Sequence, residues 1–109
     1  MLIKQNECDV PRFHAICVAL GTEELLGQLT EECGELVQAT QKVRRALKGT
    51  TPVSLDEALV HLAEECADVA LCIDTLAAMK LVDETGVQNI GRYKTNRWYG
   101  RLLGDGEGA

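Results

Sequence analysis

The chain is poor in aromatic side chains, with only Phe13, Tyr93, Trp98 and Tyr99 among its 109 residues. A core with so few rings must be filled by aliphatic groups. Fifteen Leu and eleven Ala stand against nine Val and four Ile, a balance that favours helices over strands. Long hydrophobic runs are missing as well. No stretch reaches the roughly 18 apolar residues of a membrane span, and residues 1–9, with Lys4, Glu7 and Asp9, offer no apolar run suited to a signal peptide. Cys8, Cys17, Cys33, Cys66 and Cys72 are odd in number and show no Cys-x-x-Cys spacing. That excludes a secreted disulfide framework and a zinc ribbon, and the expectation is a reducing cytoplasm with cysteine used as a small core residue.

Positive charge is the scarcer sign: 11 basic against 17 acidic residues, a net charge of −6. A chain with that balance repels a nucleic-acid backbone unless its basic residues are segregated. Eight of the eleven fall into two groups, Lys42, Arg44, Arg45 and Lys48, and Arg92, Lys94, Arg97 and Arg101. On composition alone these are solvated helix ends. With 46% hydrophobic and 26% charged residues the composition is that of a soluble globular protein, and the length allows one domain, residues 1–109.

Local punctuation divides the chain into helices. Pro11 suits a first helical position and Gly21 an end, which gives a short helix over 10–20. Thr22, followed by Glu23 and Glu24, opens a second helix over 22–48, whose last turns carry Arg44, Arg45 and Lys48 toward the negative end of the helix dipole. Gly49-Thr50-Thr51-Pro52 breaks it. Ser54 with Glu57 is a capping box for a third helix over 54–81. A fourth helix is expected over 87–103, with a frayed tail over 104–109. The second and third helices then form an antiparallel hairpin.

An acidic pattern recurs on its two arms, Glu31-Glu32-Cys33-Gly34-Glu35-Leu36 and Glu64-Glu65-Cys66-Ala67-Asp68-Val69. At about 100° per residue, Leu25, Leu29, Leu36, Val43 and Leu47 form one apolar stripe, and Glu32 lies inside it. Glu35 falls at its border and Glu31 points to solvent. On the third helix Leu55, Leu59, Leu62, Cys66, Val69, Ile73 and Ala77 form the stripe, with Glu65 on its border and Asp68 one turn further along. An ionised carboxylate within an apolar stripe is costly unless it meets a counter-charge, a proton or a metal. If the hairpin brings Glu32, Glu35, Glu65 and Asp68 together, all-oxygen ligation selects a hard ion, Mg²⁺ or in its place Mn²⁺. His61, four residues before Glu65, reads as a hydrogen-bonded or exposed helix residue and not as a ligand.

The pair of motifs, Glu-x-x-Glu at Glu32-Cys33-Gly34-Glu35 and Glu-x-x-Asp at Glu65-Cys66-Ala67-Asp68, with the basic segment Arg92-Tyr93-Lys94-Thr95-Asn96-Arg97 behind it, resembles the MazG-like all-α nucleoside triphosphate pyrophosphohydrolases. The likeness covers residues 20–101. It implies Mg²⁺-dependent hydrolysis of a (deoxy)nucleoside triphosphate to the monophosphate and pyrophosphate. Glu32, Glu35, Glu65 and Asp68 would hold the metal, and Glu31 or Glu35 would accept the proton of the attacking water. Arg92, Lys94 and Arg97 would clamp phosphates, with Asn96 as a sugar or phosphate contact and Tyr93 or Trp98 stacking on the base. The resemblance also implies a homodimer or a dimer of dimers completing a four-helix-type bundle. The contrasting reading is a non-catalytic helical oligomerisation or nucleotide-binding regulatory module, which Glu32 on the core face disfavours. No nucleic-acid or membrane partner is expected.

Overall fold

In the computed structural model, which describes residues 1–104, Pro11 starts helix α1 (Val10–Lys48) from within its first turn, where its missing N–H breaks no helical bond. Asp9 makes no side-chain cap. In the turn before the helix, Asn6 Oδ1 accepts the N–H groups of Cys8 at 3.1 Å and Asp9 at 3.0 Å. The break expected at Gly21 is confined to that one residue, with φ 78° and ψ 174° between two helical stretches. Only glycine adopts that backbone region readily. Its consequence is a bend: Cys17 and Leu25 would stand about 12 Å apart along a straight helix, yet with Phe13 they form one buried cluster, against which Met79 packs. Gly49, left-handed at φ 69°, ends α1.

Helix α2 (Leu55–Ala78) opens on Ser54, whose Oγ accepts the N–H of Glu57 at 3.3 Å, with Asp56 and Glu57 in the first turn. It stops three residues short of the expected 81, and Lys80 takes a left-handed φ of 61° just beyond it. Helix α3 (Glu84–Leu102) starts earlier than the expected 87, because Asp83 caps it by accepting the N–H of Gly86 at 3.0 Å. Residues 105–109, and with them most of the expected frayed tail, lie outside the described residues. Among the described residues all regular structure is helical, and no helix is long and apolar enough to cross a membrane.

The chain divides into two compact units, one ending at Met79 and one beginning at Lys80. In the first, α1 and α2 run antiparallel: Leu25 shares a cluster with Met79, while Glu32, a turn and more along α1, approaches Glu65 and Asp68, further back on α2. The seam follows steps of four and three residues, the spacing that keeps two helices in contact. On α1 it comprises Leu25, Leu29, Glu32, Leu36, Ala39, Val43 and Ala46, and on α2 Ala58, Leu62, Glu65, Val69, Cys72, Leu76 and Met79, all buried or half-buried. This corrects the apolar stripe read for α2. Leu62 and Val69 belong to both, but Leu55, Leu59 and Cys66 are exposed, and Glu65, expected on the border, is in the seam. Leu47 of α1 is exposed too. Two apolar stripes adjoin on α2, and the one bearing Ala58, Leu62, Val69, Cys72 and Leu76 meets α1, leaving Leu55, Leu59 and Val60 exposed.

Candidate metal centre

Glu32 and Glu65 are the two acidic residues in the α1–α2 seam, and Asp68 stands one turn after Glu65. One carboxylate oxygen from each of the three lies within 4.8 Å of those of the other two. Their surroundings differ. Glu65 is 6% exposed, Glu32 is half-buried and Asp68 is open to solvent. Glu32 Oε1 accepts Nε2–H of Gln28, one turn earlier, at 3.0 Å. Burial first, then the charge of Asp68 and that of Glu65, raise the Glu32 carboxyl above its ordinary value, although the Gln28 bond pulls the other way. The same field reaches one turn along α2: the Cys72 thiol is raised by its burial and then by the charges of Glu32, Asp68 and Cys33.

Glu65 has a less complete set of partners. Its Oε1 lies 3.4 Å from His61 Nε2, while its Oε2 and the Nδ1 of His61 are buried without hydrogen-bond partners. A buried carboxylate oxygen with nothing to accept from is unfavourable by about 1–3 kcal/mol. Together with two further carboxylates in reach, it makes a site short of positive charge. Three oxygen donors, two on adjacent turns of one helix and one from its neighbour, fit a hard divalent cation, which keeps part of its shell for water or phosphate.

Glu35, expected as a fourth ligand, is exposed and is not brought into the trio. The seam steps by four from Glu32 to Leu36, so Glu35 turns away from α2. Glu31 is exposed as expected. The phosphate-contact candidates all stand on α3, in the second unit. Arg92, Lys94 and Asn96 are exposed, Arg97 is half-buried, and Tyr93 and Trp98 are exposed. Arg92 and Asn96 border one groove with Gly91 and Thr95, whereas Lys94 is about 160° round the helix from both.

Two residues gain importance that the sequence reading did not give them. His61 is the neighbour of Glu65. Asp74, 2% exposed, is the most buried acidic side chain of the described residues and accepts the N–H groups of Leu2 and Ile3. Its signal was present: a lone acid inside the apolar run Val69–Ala78 needs a partner for the same reason that Glu32 does.

No family model matches the chain, and no curated protein or solved structure matches it.

Proposed function

We propose that the chain is a nucleoside triphosphate pyrophosphohydrolase that uses Mg²⁺, or Mn²⁺ in its place, held by Glu32, Glu65 and Asp68. The observation that carries this reading is Glu65, buried in the helix seam with an unpartnered oxygen and two more carboxylates within 4.8 Å. The substrate class rests on the resemblance of the paired motifs to the MazG-like enzymes. When bound, the cation supplies positive charge against the phosphate oxygens and the leaving pyrophosphate.

The chain's own residues divide the remaining work. Glu35, one turn beyond Glu32 and open to solvent, suits a proton acceptor for the attacking water better than a ligand; Glu31 is a second exposed carboxylate beside it. Arg92 and Asn96, sharing one side of α3, contact phosphate and sugar, with Lys94 and Arg97 as further cations and Tyr93 or Trp98 stacking on the base. A second copy of the hairpin completes a four-helix bundle. This is supported by the exposed Leu26 and Val37 on α1 and Leu55, Leu59 and Val60 on α2, side chains that a lone hairpin leaves in water. The site of action is the cytoplasm.

The test is a panel of canonical and deoxy nucleoside triphosphates with Mg²⁺, scored for pyrophosphate release by the wild-type chain and by Glu65→Gln. Release from at least one triphosphate, lost in the variant, is expected. Hydrolysis of none, or full activity in the variant, removes the enzymatic reading.

A further inference from the structure

His61 stands one helical turn before Glu65, on the same face of α2, with Nε2 3.4 Å from Oε1 of that carboxylate. Among the described residues no other group forms a hydrogen bond or ion pair with the Glu65 carboxylate, whose Oε2 is buried and unpartnered. The seam fixes the stem of Glu65 through burial, but the direction of its carboxylate depends on what holds the head. A group that engages one oxygen sets where the other points.

The tautomer follows from the same geometry. With the proton on Nε2, the imidazole presents N–H to the carboxylate and leaves a lone pair on Nδ1. The opposite tautomer sets two lone-pair atoms against each other and buries an N–H at Nδ1 with no acceptor, the rarer and costlier kind of orphan. Neither nitrogen of His61 belongs to the group of ligand atoms formed by Glu32, Glu65 and Asp68. We propose that His61 is a positioning residue of this centre: it holds Glu65 Oε1 and thereby directs Oε2 to a divalent cation, without ligating the cation itself. This rests on reading the trio as a cation site. Partners of this kind behind a ligand are worth about 10- to 100-fold in metal affinity.

The experiment is calorimetric titration of the full chain with Mg²⁺ and, separately, Mn²⁺, for wild type, His61→Ala, His61→Gln and Glu65→Gln, with the melting curve of each metal-free variant recorded alongside. His61→Ala is expected to weaken both ions in parallel by about tenfold or more. His61→Gln, whose amide N–H can reach the same oxygen, recovers most of that loss. The metal-free melting midpoint of His61→Ala falls, because both oxygens of the buried Glu65 carboxylate are then without a partner, while that of His61→Gln stays close to wild type, and affinities are compared at a temperature where every variant is folded. Unchanged affinity in His61→Ala while Glu65→Gln loses it overturns the inference and leaves the cation site standing. A loss confined to Mn²⁺, the ion that accepts imidazole more readily, makes His61 a ligand and overturns it too, as does failure of His61→Gln to recover affinity. If wild type binds neither ion, or Glu65→Gln binds both as tightly as wild type, the cation reading itself fails.

Discussion

The carboxylate of Asp74 accepts the main-chain N–H of Leu2 at 2.7 Å and that of Ile3 at 2.8 Å, tying the start of the chain to the C-terminal half of α2. A charge this deeply buried is tolerable because two amide dipoles point at it. Asp74→Ala leaves both donors without their acceptor and is expected to destabilise the chain by about 2–4 kcal/mol in chemical denaturation. Asp74→Asn retains one acceptor oxygen and falls between. Limited proteolysis tests the location of the loss, because cleavage within residues 1–9 accelerates if the tie is what holds them. A denaturation midpoint for Asp74→Ala equal to wild type would show that the tie contributes no stability.

Gly21 and Gly27 lie in the same long helix and call for opposite outcomes on substitution by alanine. A Cβ at either position meets nothing within 4 Å, so space does not decide between them. Backbone conformation does: Gly21 has φ 78°, and Gly27 is helical. Gly21→Ala is expected to cost about 1–3 kcal/mol, whereas Gly27→Ala gains up to about 1 kcal/mol. Thermal melts of the two variants beside wild type settle the sign. A neutral Gly21→Ala would mean that the bend is not needed to join Phe13 and Cys17 to Leu25.

The elements were legible wherever a residue has a backbone reason to be where it is. Pro11, Gly49 and Ser54 mark helix boundaries through fixed φ, positive φ or a side-chain cap, and each does so in the structure, whereas Gly21, expected to end a helix, marks a kink inside α1. Of the four carboxylates grouped from the sequence, Glu32, Glu65 and Asp68 converge: Glu32 and Glu65 face the neighbouring helix from the seam, and Asp68 reaches them from its exposed edge one turn after Glu65. Glu35 stays exposed and outside the trio. A three-residue spacing puts two side chains near each other on one helix but does not say which of them faces the next. The rotation of α2 was illegible for a related reason. Adjoining apolar stripes have similar hydropathy, so periodicity alone does not say which of them meets the partner helix. For Asp74 the need for a partner was legible as a lone acid in an apolar run, but its partners were not, because main-chain groups more than 70 residues away leave no trace in residue types.

The stripe on α2 that α1 does not cover sets up a prediction about assembly. Leu59 is 45% and Val60 60% exposed, and a second hairpin would bury both. Leu59→Asp places a charge on that face without touching the α1–α2 seam, so it should leave helicity by circular dichroism unchanged while shifting the mass seen by light scattering from dimer or larger to monomer. A wild-type chain that is already monomeric at micromolar concentration removes the bundle completed by a second copy.

Glu32 links pH, cation and stability in one residue. Burial and the charges of Asp68 and Glu65 raise its carboxyl above the ordinary value of 4.5, so in this range the folded state holds the proton more tightly than the unfolded state does. Stability from this group is therefore fully present below about pH 4.5 and is lost as pH rises through the elevated folded value. Glu32→Gln removes the titration. Its stability relative to wild type should improve from pH 4 to pH 7, read as the difference between the two denaturation midpoints at each pH. A divalent cation opposes the same loss, because it favours the ionised form that the neighbouring carboxylates penalise. Mg²⁺ or Mn²⁺ should then raise the melting midpoint of wild type at pH 7 by the usual linkage for a ligand of the folded state, and do so less at pH 4, where protons compete for the same oxygens. Glu32→Gln should blunt that response at both pH values. A cation effect of equal size in wild type and variant would place the ion elsewhere on this acidic chain and detach the pH dependence of Glu32 from metal binding.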